Sequence, residues 1–393
     1  MEWIEKTLGE LGDIVGGATP STKHEEYYGG NIAWITPKDL SLFKGRYISY
    51  GERNITEAGL ASCSAQMMPP NTVLFTSRAP IGYVAIARQS VCTNQGFKSV
   101  VPHECVDSLF LYYLLKFNKE RIEEMGSGTT FKEVSGKTMK AVQVRIPCKI
   151  EDQKKIASIL DSIDSKIENN AKINDNLQQQ ARAIYKEWFI DFGSTSGTTP
   201  STWKHGKLKD VLQLHKRAIK SGANTTLPYL PIDTIPMQSF GVTEFRPNDE
   251  AKSSLITFQK DDIIVGAMRV YFHRVVLAPC DGITRTTCFT LSPYNSKYLS
   301  YALLTCDLDS SIDHAQNTSK GSTMPYAVWD GGMGEIEIII PPIDVAEEFN
   351  NSVLPMLRQI QRNCEEIQIL GSLRDTLLPK LMSGEIDVSD IKL

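Results

Sequence analysis

The sequence predicts an α+β protein built twice in tandem, with a long α-helix closing each half and the two helices pairing as an antiparallel coiled coil. Three observations predict it. Short strand-like runs and one helix-like segment recur in the same order roughly 200 residues apart, the mark of an internal repeat. Each half ends in an apolar stripe that steps alternately by three and four residues, and the two stripes have almost the same heptad phase. A polar, glycine-bearing segment follows the first stripe and separates the halves.

In the first globular domain, residues 1–147, the runs Ile32-Ala33-Trp34-Ile35, Val73-Leu74-Phe75, Tyr83-Val84-Ala85-Ile86 and Val142-Gln143-Val144-Arg145-Ile146 read as strands, and 108–124 reads as a helix. The first long helix, 148–192, opens on Glu151-Asp152, where acids suit the helix dipole. Its seam is Ile156, Leu160, Ile163, Ile167, Asn170, Asn174, Leu177, Ala181, Ile184 and Trp188. Residues 193–202 are too polar and glycine-rich to bury anything and form a linker.

The second domain, 203–343, closes on Pro341-Pro342, after which Asp344 with Glu347 is expected to cap the second long helix, 344–384. That helix has the seam Phe349, Val353, Met356, Ile360, Asn363, Ile367, Leu370, Arg374, Leu377 and Leu381. Pro379 is expected to kink or end it, and the acidic tail 385–393 to be loosely ordered.

Each helix of roughly 40 residues is about 60 Å long. With only a short linker after the first, antiparallel packing is the simple solution, and it places the two domains at opposite ends of a rod about a pseudo-two-fold axis. Asn170 and Asn363 interrupt the seams at equivalent phase, so this pairing is expected to bring them together. They either fix the register or mark wet, locally splayed positions.

The repeat extends into the domains. Thr72-Val73-Leu74 through Arg78 to Val84-Ala85-Ile86-Ala87 matches Asp262-Ile263-Ile264 through Arg269 to Val275-Val276-Leu277-Ala278. Leu111-Tyr112-Tyr113-Leu114-Leu115 matches Ser300-Tyr301-Ala302-Leu303-Leu304, and Gly128-Thr129-Thr130-Phe131 matches Gly321-Ser322-Thr323-Met324.

Composition narrows the function. The hydrophobic fraction of 41% is ordinary for a globular protein, no run approaches the ~20 apolar residues of a membrane span, and the opening Met1-Glu2-Trp3-Ile4 is no signal peptide, so a cytoplasmic protein without a membrane partner is expected. Eight cysteines are scattered singly, which predicts reduced core thiols rather than a metal site. A net charge of −4 gives no bulk basicity, but a local cleft of Arg and Lys suffices to hold phosphates.

No catalytic motif survives inspection. Ser135-Gly136-Lys137-Thr138 resembles the end of a phosphate loop, but Phe131 stands where its first glycine is required. Asp330-Gly331-Gly332-Met333-Gly334 reads as a turn before a strand.

The candidate ligand-contacting residues are polar and basic groups in loops. Arg78 and Arg269 fall between two strand-like runs in their respective halves, where an arginine either reads guanine or braces the loop. Thr129, Thr130 and Lys132 in one half, and Lys320, Ser322 and Thr323 in the other, lie in glycine-bearing loops suited to backbone contacts. Thr36, Lys38, Lys44 and Arg46 form one further polar and basic cluster, Lys216 and Arg217 another, and Arg274 completes the set. Asn94-Gln95-Gly96-Phe97 either reads a base edge or holds a turn.

The chain resembles the specificity subunits of type I restriction-modification systems. The resemblance lies in Leu11-Gly12-Asp13-Ile14 with Gly17-Ala18-Thr19-Pro20, Trp34-Ile35-Thr36-Pro37-Lys38-Asp39-Leu40, Ser77-Arg78-Ala79-Pro80-Ile81-Gly82, Gln153-Lys154-Lys155-Ile156-Ala157, and Leu373-Arg374-Asp375-Thr376-Leu377-Leu378-Pro379. It implies two target-recognition domains, each reading one half of a split double-stranded DNA sequence, with the paired helices setting the gap. It also implies a non-catalytic chain, two methyltransferase subunits and further motor-nuclease subunits, with AdoMet, ATP and magnesium belonging to those partners. The competing reading is a coiled-coil scaffold whose duplicated domains bind protein, favoured by the near-neutral charge; a steep loss of affinity with salt separates the two.

Overall fold

A computed structural model describes residues 1–128, 132–193, 197–220, 222 and 226–391, which pack into two units. One comprises Met1–Glu168 with Gly371–Leu393, the other Asn169–Leu370, so each long helix contributes a segment to both. The architecture is α+β, as predicted.

In the first unit a five-stranded sheet has the order Gly12–Gly16, Lys98–Pro102, Val73–Ser77, Ile81–Ala87, Tyr47–Ile48. Its central strand, Val73–Ser77, is buried at every position, which is why its sequence is an apolar run rather than an alternation. Trp3–Thr7 pairs antiparallel with Gln143–Pro147, and this ribbon feeds the first long helix. The predicted helix over 108–124 is two helices, Ser108–Phe117 and Lys119–Glu124, with Asn118 at the break donating its side-chain amide to Leu114 O at 2.8 Å.

The second unit repeats this topology. Leu212–His215, Cys288–Pro293, Ile263–Gly266 and Val275–Leu277 follow the same spatial order as the first four strands above. Lys204–Lys207 pairs antiparallel with Glu337–Ile340, the counterpart of the ribbon, and Leu299–Cys306 with Asp309–Asn317 replaces the helix pair. A three-stranded sheet of Ala218–Ile219, Leu255–Phe258 and Gly282–Arg285 is added.

The long helices are Ile150–Phe189 and Ile343–Ser383. Within the first unit Ile156, Ala157 and Leu160 share a core with Leu381 and Met382. Arg374, an apparent intruder in the seam, donates to Asp164 Oδ1 at 2.9 Å, and the Tyr113 hydroxyl donates to Asp164 Oδ2 at 2.9 Å. Gln153 is fully buried and ties its helix to the domain by donating to Cys105 O and Pro147 O and accepting from Asp107 N. Within the second unit Asn170 donates to Glu366, Asn363 to Asn174, and the Phe189 and Phe349 rings lie 4.8 Å apart. In each unit residue numbers rise along one helix as they fall along the other, so the segments run antiparallel.

Several details differ from expectation. Asn363 meets Asn174, one turn beyond Asn170, at 2.7 Å, and all three asparagines are buried. Ile163, Val353 and Ile360 are buried, but Ile167, Leu177, Ile184, Met356, Ile367, Leu370 and Leu377 are only partly so, while Gln178, Tyr185 and Leu357 are buried beside them. The cause is the globular domain, which covers a wider arc of helix than a partner helix would.

Asp344 lies inside the first turn rather than at the cap, and Glu347 pairs with Lys297 at 2.6 Å. Pro379 does not end its helix, because Leu381 and Met382 beyond it are anchored in the core. Gly384, at φ 81, ends the helix instead, and a Cβ there would lie 2.5 Å from Trp3 Nε1. The tail is docked: Val388 is fully buried and the Lys155 amine donates to Ser389 O. Only half of the cysteines are core thiols. Cys92, Cys288, Cys306 and Cys364 are buried, whereas Cys105 and Cys148 are exposed. Among the described residues no helix is long and apolar enough to cross a membrane.

Candidate nucleic-acid interface

In each unit two segments far apart in sequence are clasped together at the end of the central sheet strand. In the first, Val134 N donates to Ser77 O at 2.9 Å, Ser127 and Glu133 exchange backbone hydrogen bonds at 3.0 and 2.9 Å, and Arg78 bridges to Glu133. In the second, Ala327 N donates to Ala267 O at 2.8 Å, Lys320 and Tyr326 exchange backbone bonds at 2.9 Å, and Met268 bridges to Tyr326. The loop between the exchanging pair turns on a glycine with positive φ in both cases, Gly128 at 121° and Gly321 at 89°. The glycine loops and the strand-end arginines, separate candidates in the sequence, thus stand beside each other in the fold.

This pairing corrects one equivalence. Since Ser77 corresponds to Ala267 and Arg78 to Met268, Arg269 occupies the place of Ala79, one residue further on. Both adopt a left-handed backbone, at φ 48 for Ala79 and φ 50 for Arg269. Arg78 therefore leaves its sheet strand in extended form beside Glu133, with 3.7 Å between Nη1 and Oε2, while Arg269 projects from a turn. The Arg269 guanidinium is exposed and has no hydrogen bond or ion pair among the described residues, and the same holds for the Lys320 amine.

The remaining predicted contacts divide sharply. Lys132, Lys44 and Lys216 are exposed, as are Ser322 and Thr323. Thr129 and Thr130 lie outside the described residues. Lys38 is exposed but paired with Glu52 at 2.6 Å. Thr36 is committed to capping the helix Pro37–Leu42, donating its hydroxyl to Asp39 Oδ2 at 2.6 Å.

Three arginines are engaged by the protein itself, Arg46 buried and Arg217 and Arg274 half-buried. Arg46 is 5% exposed and binds Asp161, Glu168 and Ser165 along one face of the first long helix. Burial is the largest single influence and works against its charge, but hydrogen bonds to Glu168 and Tyr113 and the charge of Asp161 together outweigh it and leave the Arg46 pKa above the ordinary value. Arg217 pairs with the buried Asp262 at 2.7 Å. Arg274 donates to Ile232 O and places its guanidinium 5.3 Å from the Phe272 ring. Asn94 holds a turn, accepting from Gly96 N at 2.9 Å.

Large apolar side chains also stand exposed beside Arg269, where no pattern in the sequence marks them. The turn Val270–Phe272 after Arg269 carries Tyr271 and Phe272, 45% and 36% exposed, and the facing loop carries Met324 and Tyr326, 54% and 48% exposed. The anchor behind this turn is equally silent in the sequence. His273 Nε2 lies 2.9 Å from Asp307 Oδ1, Arg182 Nε donates to Asp307 Oδ2 at 2.7 Å, and Asp307 is buried. The hydrogen bond to Asp307 holds the His273 pKa above its ordinary value against the opposing effect of burial. Only proximity in space reveals these partners.

Comparison with known proteins places this arrangement. A profile described as "Type I restriction modification DNA specificity domain" matches residues 1–179. The specificity subunit of the type I restriction enzyme MjaIX of Methanocaldococcus jannaschii is 34% identical over 427 aligned residues, which cover 99% of this chain and 95% of that one. A putative type I specificity subunit of Mycoplasma genitalium is 24% identical over 97% of this chain and 94% of its own. The crystal structure of the S subunit of a type I restriction-modification system from M. genitalium superposes with a TM-score of 0.65 at 18% identity, covering 97% of this chain and 96% of that one. With more than a third of its residues shared with a relative along nearly all of both chains, this protein belongs to the specificity subunits of type I restriction-modification systems.

Proposed function

We propose that the chain reads a bipartite sequence in double-stranded DNA, one half-site per globular domain, and that the paired helices set the spacing between the halves. The observation that carries this reading is the duplicated clasp: one sheet topology, built twice, ends twice in a glycine loop and an arginine-bearing turn. Two copies of one reading head with different side chains suit two different half-sites, and a helical connection converts spacing into geometry. Phosphate contacts then fall to exposed lysines such as Lys132, Lys216 and Lys320, and base contacts to the turns. The chain carries out no chemistry itself. Two methyltransferase subunits and motor-nuclease subunits supply it, with AdoMet, ATP and magnesium bound there, in the cytoplasm where the DNA lies.

The test is single-molecule sequencing of methylated DNA from the source cells, with the gene intact, deleted, and with residues 193–343 exchanged for another recognition domain. A split motif that disappears on deletion, and of which only one half changes on exchange, supports the reading. An unchanged methylome with the methyltransferase expressed overturns it in favour of the protein-binding scaffold.

A further inference from the structure

We propose that the second domain reads its half-site through an apolar contact, made by Tyr271 and Met324 on the exposed turn and loop beside Arg269, with base edges in the DNA groove. The inference rests on the function proposed above and adds to it the chemistry of one half-site. Large exposed apolar side chains grouped on one surface mark a binding site more often than chance decoration. Here Tyr271 and Phe272 follow Arg269 directly, and Met324 and Tyr326 flank Pro325, whose carbonyl accepts from Arg269 N at 2.8 Å. This hydrogen bond joins the two apolar segments at the residue whose guanidinium has no partner among the described residues.

Two features point to DNA as the occupant. The first is charge: Arg269 and Lys320 stand on the two clasped segments, exposed and without partners among the described residues. Exposed cations on both sides of an apolar patch suit a groove whose walls are lined by phosphates.

The second is rigidity. Phe272 N donates to Arg269 O, His273 N to Val270 O and Gln238 N to His273 O, at 2.9, 2.9 and 2.8 Å, while the His273 ring is fixed to Asp307. The Tyr271 ring packs against Phe272 with 4.9 Å between centroids, and Phe272 against the Arg274 guanidinium. The exposed rings are thus mounted on a pinned turn, and little side-chain freedom is left to lose on binding. The first domain has Ala79-Pro80 where the second has Arg269-Val270, and no aromatic pair like Tyr271-Phe272 follows in that turn. Apolar side chains in a groove recognise the thymine C5 methyl, or a base face at an unstacked step.

Tyr271→Ala and Met324→Ala are made in the full chain, assembled with the methyltransferase subunits of its system, and binding is measured to a duplex carrying the methylated motif and to one with its second half scrambled. Each variant is expected to bind the intact motif about tenfold more weakly, with Tyr271→Phe near wild type. The dependence of affinity on salt is expected to stay unchanged, because no phosphate contact is lost. Affinity for the scrambled duplex is expected to match wild type. Replacing thymines of the second half by deoxyuridine, one at a time, identifies a methyl contact as a position where wild type loses affinity and a variant loses no more.

Unchanged binding of the intact motif by both variants overturns the proposal, as does an equal loss on both duplexes. Failure of both variants to assemble with the methyltransferase marks a protein-docking surface and also overturns it. Wild-type complex that does not distinguish the two duplexes overturns the underlying function as well.

Discussion

The side-chain amide of Asn363 donates to Asn174 Oδ1 at 2.7 Å across the two long helices, with both residues buried. A buried amide pair contributes little net stability compared with two leucines, but each half is costly without the other. Asn363→Leu is expected to destabilise the protein by about 1–3 kcal/mol, since Asn174 loses its donor. The double variant Asn174→Leu/Asn363→Leu is expected to recover most of that loss and to loosen the register. Urea unfolding of the four proteins of the cycle checks the first point, and cysteine cross-linking across the helices checks the second. A double variant as unstable as the sum of the singles excludes this account.

Arg46 looks from sequence like a DNA contact and is a brace. Its guanidinium spans Asp161 and Glu168, and Arg46→Met leaves those acids without a counter-charge. The expected cost is about 2 kcal/mol, below the ~3–5 kcal/mol of a fully buried pair because both acids remain partly in water. The methylated sequence is expected to be unchanged. A shifted methylation motif with normal thermal stability would reverse the assignment and return Arg46 to the DNA surface. The second unit has the opposite polarity, with Arg358 on the helix paired with Asp261 in the domain. An exchanged second domain that lacks an acid at that position leaves Arg358 unpaired.

His273 gives the second unit a pH dependence of definite sign. Its folded pKa is raised by Asp307, with Asp309 also facing the ring at 3.5 Å and Arg182 sharing Asp307. A raised histidine binds its proton more tightly when folded than when unfolded. Its contribution is therefore complete below the ordinary value of about 6.5 and disappears as pH climbs through the folded pKa. Melting temperatures from pH 6 to 9 are expected to fall more for wild type than for His273→Gln over the upper part of that range. Parallel curves would remove His273 as the cause.

The sequence revealed what is periodic or repeated. The heptad stripes located both helices to within three residues, because an apolar step of three and four has no other use, and the order of strand-like runs predicted one topology built twice. What it did not reveal depends on distant partners. Nothing near Arg46 in the chain points to Asp161, and nothing near Arg374 explains a cation in a seam until Asp164 is found opposite it. The offset between Arg78 and Arg269 was hidden because the second tip is one residue longer, as the pairs Phe75 with Val84 and Val265 with Val275 show. Nothing in the sequence around Tyr271 and Met324 sets them apart until their exposure is known.

That offset shapes the prediction for the two arginines. Arg78 is steadied by Glu133, itself shared with Lys98 at 3.6 Å, whereas Arg269 has no partner among the described residues. Arg78→Ala is expected to weaken recognition of one half-site and Arg269→Ala of the other, each by roughly ten- to a hundredfold if the contact is bidentate to a guanine. If either arginine holds a phosphate instead, its loss weakens binding to every sequence alike and lowers the salt slope by about one. Glu133→Gln separates the cases for the first domain. It frees Arg78 without removing it, so tighter but less selective binding is expected if Glu133 restrains the guanidinium for base reading. Competition between duplexes scrambled in one half at a time, at two salt concentrations, measures all three, and equal losses on both half-sites from each arginine variant would show that the two turns do not read separate halves.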